Sequence, residues 1–161
     1  MAKRSPGGTP ATVALTKAGI DFTLHSYEHH DDATGFGDEA AEALGVPKTR
    51  IFKTLVADVG GELVVAVVPV AQRLDLKALA SAVGSKKAAM ADPAAAARSS
   101  GYVVGGISAI GQRTPLRTVI DQSATDFETI MVSAGKRGLQ VELAPADLAH
   151  VTSGKFAAIG H

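Results

Sequence analysis

The chain has no cysteine and no tryptophan, and aromatic residues make up only 4% of its 161 residues. Without cysteine there is no disulfide framework, no thiolate metal site and no cysteine nucleophile supplied by the chain. With so few aromatics, the interior of a 46% hydrophobic chain has to be built from Val, Ala, Leu and Ile. No apolar run approaches the length of a membrane span, and the longest, residues 63–71, is strand-sized. The first ten residues carry Lys3 and Arg4 but no apolar stretch, so they do not read as a signal peptide. Residues 1–8 read as a flexible tail and residues 9–161 as one domain, long enough for a proper core. The expectation is a soluble cytoplasmic protein that touches no membrane.

An excess of either charge is also lacking, since 16 basic residues balance 16 acidic ones. The balance is uneven along the chain. Residues 21–62 hold nine acidic side chains against three basic, and residues 85–137 hold seven basic against four acidic. A modest basic face of this kind meets phosphates, or it is ordinary solvated charge. A chain this neutral is not a dedicated high-affinity nucleic-acid binder, so contact with RNA would be weak or assisted by a partner.

What the sequence does have is clear punctuation. Thr9-Pro10 opens a helix that stops at Gly19. Residues 20–29 alternate as a strand, residues 31–37 form a turn-rich loop, and residues 38–44 form a short helix ended by Gly45. Two β-branched runs, residues 51–58 and 63–70, flank Gly60-Gly61 as a hairpin. Residues 74–83 and a segment capped by Asp92-Pro93 are helices, ended by Gly84 and Gly101. Residues 102–104, 118–121, 128–133 and 139–143 read as strands, residues 145–150 as a last helix, and residues 155–159 as an extended or fraying end. The order is neither strictly βαβ nor all-β, which predicts one curled, mixed sheet with helices packed on it, an α+β or mixed α/β domain.

Lys53 is the anomaly in this pattern. It lies mid-strand between Ile51 and Leu55 on its own face, so its ammonium must snorkel to water, find an anion, or line a cavity that an anion enters. A second oddity is Gly105-Gly106-Ile107-Ser108-Ala109-Ile110-Gly111, which brings backbone close to something and frees N–H groups for a carboxylate or carbonyl oxygen, or else is a glycine-rich connection. It matches neither a phosphate-binding Walker loop nor the dinucleotide fingerprint. His25, His29, His30, Asp31 and Asp32 invite a metal reading, but no second cluster supplies the remaining ligands, and no metal or cofactor is expected. Ser108 or Ser133 with scattered His and Asp would make a triad only on paper, since no nucleophile-elbow motif marks either. Ser133-Ala134-Gly135 at a strand end offers a hydroxyl and N–H groups, or is turn chemistry.

Several short motifs occur here in a fixed order: Tyr27-Glu28-His29, Phe36-Gly37-Asp38-Glu39, Phe52-Lys53-Thr54-Leu55, Val68-Pro69-Val70, Leu74-Asp75-Leu76-Lys77, Met90-Ala91-Asp92-Pro93, Gly101-Tyr102 through Ser108, and Gly135-Lys136-Arg137-Gly138-Leu139. In that order they resemble the YbaK/EbsC family of cysteinyl-tRNA(Pro) deacylases, free-standing relatives of the editing domain inserted in bacterial prolyl-tRNA synthetases. The similarity runs from about Thr9 to the end of the chain.

The resemblance implies a single domain with a mixed, barrel-like β-sheet flanked by helices, and hydrolytic removal of cysteine from mischarged tRNA(Pro). Cysteine and proline are close in size, and pockets separate similar apolar groups by only about 1–3 kcal/mol per methylene, so a second sieve is needed. It further implies that the substrate's own thiol attacks its ester carbonyl, leaving the enzyme to position the reactants. By the same resemblance Lys53 is the functional lysine, holding the phosphate or ribose end of the terminal adenosine and stabilising charge near the ester. Gly105, Gly106 and Ser108 match the loop that holds the aminoacyl group, Tyr27 matches a pocket tyrosine, and Ser133 and Gly135 match the segment facing it. The implied partners are the acceptor end of tRNA(Pro) carrying cysteine and prolyl-tRNA synthetase. Two departures stand out. Ala109 follows Ser108 where the family usually has proline, and Gln140 stands where some members carry an acid, which leaves open a deacylase for alanine or serine that uses water. A non-catalytic module that binds aminoacyl-tRNA or a synthetase is the alternative of another class.

Overall fold

The β-branched runs on either side of Gly60-Gly61 form an antiparallel hairpin, β2 (Phe52–Val59) and β3 (Glu62–Pro69), in register from Phe52 opposite Pro69 to Val59 opposite Glu62. The Asp58 carboxylate accepts the Gly61 N–H at 2.9 Å, and both turn glycines have positive φ, a conformation that costs glycine little. Val64 through Val68 are at most 1% exposed, so β3 is a central strand with both faces covered. The computed structural model describes residues 8–30 and 36–161. Most of the tail expected over residues 1–8, and Asp31 and Asp32, lie outside the described residues.

Around this hairpin the chain runs α1 (Pro10–Lys17), β1 (Thr23–Ser26), α2 (Phe36–Leu44), β2, β3, α3 (Leu76–Ala82), β4 (Ala89–Met90) and α4 (Pro93–Ser100). It continues through β5 (Arg117–Asp121), a 3₁₀ turn at Gln122–Asp126, β6 (Ile130–Lys136), β7 (Leu139–Leu143), α5 (Pro145–Thr152) and β8 (Lys155–Ala157). One sheet of five strands has the order β4-β2-β3-β5-β8, and a second of three has the order β1-β7-β6. The first is mixed: β2 pairs antiparallel with β3 and β4, while β5 runs parallel to both β3 and β8. The mixed sheet read from the sequence is therefore two sheets joined at one parallel bridge, Ile51 with Met131, and no barrel closes among the described residues.

Side-chain caps place the helices. Thr9 Oγ1 accepts the Thr12 N–H at 3.2 Å, and its hydroxyl donates to the Ala134 carbonyl on β6 at 2.5 Å, so one residue both starts α1 and ties it to the small sheet. Replacing it by Ala removes a cap of about 1 kcal/mol and that tether together. Asp75 and Asp92 cap α3 and α4 in the same way, through the N–H groups of Ala78 and Ala95. The largest core lies between the sheets, where Phe52, Val65, Val67 and Ile120 meet Ile130, Val132, Val141 and Leu143 together with Leu15 and Leu148. A second cluster packs α3 on the other face of the large sheet through Leu79, Ala80, Val64 and Val119.

Three local expectations need correction. Residues 102–104 are not a strand: Gly106 N–H donates to the Val103 carbonyl and Gly105 takes φ +90°, which folds the segment into a turn. The strand expected over residues 20–29 is shorter: Thr23–Ser26 pair with Leu139–Glu142 of β7, and the Tyr27 N–H adds one bond to the Gly138 carbonyl at 3.0 Å. The strand expected over residues 128–133 is displaced to Ile130–Lys136. Of the two readings of the C-terminal end, extended or fraying, the extended one is what the structure has. Residues 155–157 pair with β5, and the Asp121 carboxylate accepts the N–H groups of Ile159 and Gly160 at 3.0 and 2.9 Å.

Candidate active site

β2 is flanked on one side by β3 along its whole length, and on the other only at its ends. On the β3 side Val70 N–H donates to the Ile51 carbonyl at 2.9 Å. On the far side Met131 N–H donates to the Arg50 carbonyl at 3.1 Å, and Ala91 N–H to the Val56 carbonyl at 3.0 Å. Backbone groups alternate in direction along a strand, so the N–H and C=O of Thr54 point to this same far side, midway between the two bonds. Neither β4, paired only at Ala57 and Asp58, nor β6, bridged only at Ile51, extends to it. The result is a gap in the ladder, and a cavity of about 390 Å³ occupies it.

Four sides close the cavity. β2 gives the floor with Lys53, Thr54 and Leu55, and β6 and β7 contribute Ser133 and Gln140, directly opposite one another in register. α2 brings Gly37 and Asp38 to the rim, and its approach is close: a Cβ on Gly37 would lie 2.6 Å from Val70 Cγ2. Met90, Pro93, Val104, Gly105 and Ile107 complete the mouth, where Met90 and Val104 are exposed.

Electrostatically the cavity is dipolar. Burial lowers the Lys53 pKa from the usual lysine value, with Asp38 opposing that shift and Arg73 adding to it. Asp38 also pairs with Lys48 at 3.1 Å. Burial raises the Tyr27 pKa, against hydrogen bonds from the Gly138 backbone and the Gln140 side chain. The Ser133 hydroxyl accepts the Gly135 N–H at 3.2 Å and keeps its own proton to donate.

Of the residues singled out in the sequence, Lys53, Tyr27, Gly105 and Ser133 line this one cavity. Gly106, Ser108 and Gly135 stand behind it. A Cβ on Gly106 would lie 3.0 Å from Lys136 Cα, so its lack of a side chain lets the loop lie on the β6–β7 turn. Its N–H is already given to Val103. Ser108 is fully buried, and its hydroxyl oxygen accepts the Ile110 N–H at 3.1 Å. Gly135 adopts φ +102° with the Tyr102 ring against it. The histidines separate: His25 lies 2.8 Å from Glu142, while His29 lies 2.8 Å from Glu39, whose other oxygen accepts the His30 N–H. Asp38 and Thr54 carried no role in the sequence reading. Their signal was position alone, a carboxylate in the first turn of α2 after a glycine, and a hydroxyl next to the anomalous lysine.

Residues 30–151 match the model of the aminoacyl-tRNA editing domain family. The chain belongs to that family. Among curated proteins, this editing domain is 47% identical over 124 residues to EbsC of Enterococcus faecalis, which is named as a Cys-tRNA(Pro)/Cys-tRNA(Cys) deacylase; the match covers 76% of this chain and 75% of that protein. It is 30% identical over 152 residues to the multifunctional Ser/Thr-tRNA deacylase ProXp-y of Escherichia coli K12, covering 91% of this chain and 89% of that one. Among solved structures, a trans-editing enzyme assigned to prolyl-tRNA synthetase superposes with a TM-score of 0.85 over 99% of both chains at 22% identity, a likeness of fold.

Proposed function

We propose that the protein is a trans-editing aminoacyl-tRNA deacylase that removes cysteine from the acceptor end of tRNA(Pro), acting in the cytoplasm with prolyl-tRNA synthetase delivering the tRNA. The observation that carries this reading is Lys53, a cation at a mid-strand position whose side chain borders a cavity of ligand size instead of core or open water. The EbsC relative, with its Cys-tRNA name, supports the choice of amino acid.

The chemistry asks little of the protein beyond placement. The substrate's thiol sulfur attacks its own ester carbonyl carbon. A C–S bond forms, the bond from that carbon to the ribose oxygen breaks, and the thiol proton passes to the ribose oxygen. The products are a cyclic thiolactone and tRNA with a free 3′ end, and water then opens the thiolactone. Lys53 supplies positive charge at the ribose and phosphate end and near the oxygen that becomes anionic in the tetrahedral intermediate. Gly105 and Ile107 hold the opposite wall, and Tyr27 and Ser133 orient the aminoacyl group. Sulfur and carbonyl carbon already belong to one molecule, so the protein's share is to hold the rotamer that brings them to attack distance.

A second reading has specific support. The Escherichia coli relative is named for Ser and Thr, and Ala109 and Gln140 are the two positions where the sequence departs from the pattern of the family it resembles. In that reading a positioned water attacks the ester of a small amino acid, and no thiolactone forms. Single-turnover deacylation of Cys-, Ala- and Ser-tRNA(Pro) by wild type and Lys53→Ala separates the two. Rapid loss of the cysteinyl ester alone, abolished in the variant, supports thiol assistance. Equal loss of alanine transfers the attack to water. No ester loss from any substrate overturns the enzyme and leaves a binding module.

A further inference from the structure

Two buried oxygen atoms at the cavity have no hydrogen-bond partner in the protein: Thr54 Oγ1 on β2 and Gln140 Oε1 on β7. Gln140 is only 7% exposed and sits on the central strand of the small sheet, with His25 opposite it on one side and Ser133 on the other. Its amide oxygen Oε1 is buried and meets no donor in the protein. Buried acceptors without donors are rare and costly, and in a ligand cavity they mark where a donor on the ligand is received.

The chemistry of the receiving atoms selects the donor. Gln140 Oε1 accepts only, whereas the Thr54 hydroxyl can accept from a ligand or donate to it. The Asp38 carboxylate, whose Oδ1 pairs with Lys48 at 3.1 Å, also reaches the rim of the same cavity, which Lys53 makes positive near the β2 floor. A ligand group with several N–H donors and a positive charge fits this set, whereas an ester oxygen or a phosphate does not. An aminoacyl ester has one such group, its α-ammonium.

We propose that Gln140, with Thr54 and Asp38, forms a receptor for the α-ammonium of the aminoacyl group, so that a free α-amine is a condition of binding. The inference rests on the deacylase reading for its ligand. It sets a specificity independent of the side chain: the site rejects esters whose amine is acylated or missing, and accepts small side chains with similar affinity for the common part.

The test is a binding comparison with two non-hydrolysable probes, 3′-deoxy-3′-(alanylamino)adenosine and its 3′-propionylamino counterpart, which differ only in the α-ammonium. Wild type is expected to bind the alanyl probe at least tenfold more tightly. In Gln140→Leu the ratio falls toward one through loss of alanyl binding, with propionyl binding unchanged, which a general structural defect would not produce. Gln140→Glu is expected to restore or widen the ratio, since it keeps the acceptors and adds charge. An equal ratio in wild type and Gln140→Leu overturns the proposal. So does a Gln140→Leu defect that appears only with a cysteinyl or seryl probe, which would assign the oxygen to the side chain. Deacylation of intact aminoacyl-tRNA is measured in parallel. Turnover without amine preference sinks this inference alone, and absence of both turnover and binding sinks the deacylase reading with it.

Discussion

Tyr102 donates its hydroxyl to the Ile110 carbonyl at 2.6 Å, closing the loop that carries Gly105 and Gly106 before it reaches the cavity. The same ring lies where a Cβ on Gly135 would stand, 2.6 Å from Tyr102 Cε1, so one buried side chain fixes the loop and the β6–β7 hairpin against each other. Tyr102→Phe leaves the Ile110 carbonyl without this donor and is expected to cost about 1–3 kcal/mol, read as a lower urea midpoint. Burial pushes the Tyr102 pKa up to about 12, against a hydrogen bond from the Ala11 backbone. The folded state thus favours the neutral phenol, so its contribution is intact below pH about 10 and is lost as the pH rises toward 12. Urea unfolding at pH 8 and pH 11 is expected to show wild type and Tyr102→Phe converging at the higher pH.

Lys53 is expected to trade stability for function. Its pKa is lowered by burial, so the charged form costs folding energy wherever lysine is protonated. Lys53→Met is expected to raise the thermal midpoint at pH 7 while reducing single-turnover deacylation by about 10²–10³-fold, the range for removing one electrostatic contact to a developing oxyanion. The stability difference closes as the pH rises past the ordinary lysine value, because unfolded Lys53 then loses its proton as well. A variant less stable than wild type at neutral pH would show that Lys53 holds the fold together.

Gly135→Ala and Gly106→Ala are expected to differ in kind. At Gly135 the positive φ and the Tyr102 ring both oppose a side chain, which predicts a loss of about 1–3 kcal/mol in chemical denaturation. At Gly106 the obstacle is the backbone of Lys136 and Arg137 at 3.0–3.2 Å. The loop must therefore lift from the hairpin, carrying Gly105 with it. Deacylation is expected to fall more than stability, as kinetics and thermal unfolding run on one sample would show.

Glu142 on β7 joins β1 and the segments leading into β2 and β6. Its carboxylate accepts from the Thr129 hydroxyl at 2.5 Å and Arg50 at 2.6 Å, and lies 2.8 Å from His25. The Thr129 hydroxyl first, then His25 and Arg50, hold its pKa below the usual glutamate value. That contribution is present above pH about 4.5 and lost as the pH falls through the lowered value. Glu142→Gln is expected to be less stable than wild type at pH 7, with the gap shrinking at pH 3, measured by urea unfolding at both.

Local chemistry made much of this fold readable. The Gly60-Gly61 hairpin, the caps at Thr9 and Asp92, and the stops at Gly84 and Gly101 each depend on residues within a few positions. The parallel pairing of β3 with β5 and of β5 with β8 depends on partners tens of residues apart, which no local period encodes. That is why residues 155–159 read only as an extended or fraying end with no partner, and why the two-residue β4 went unseen. Lys53 was legible because a charge in an apolar strand breaks the alternation. Asp38 breaks no pattern, Gln140 stood out only against the family resemblance, and the meeting of α2, β2 and β7 gives them a common cavity.

The gap beside β2 bears on solubility. A strand with one unpaired side is a template for a foreign strand, and a β-branched segment such as residues 51–56 would be a strong one. Here the opening is bounded by the bridge at Ile51 and the pairing at Ala57, leaving about five residues between fixed neighbours, a run of about 17 Å. An invading chain would have to enter and leave within that length past a charged side chain. The protein thus keeps a reactive stretch of backbone available to one small guest while denying it to copies of itself.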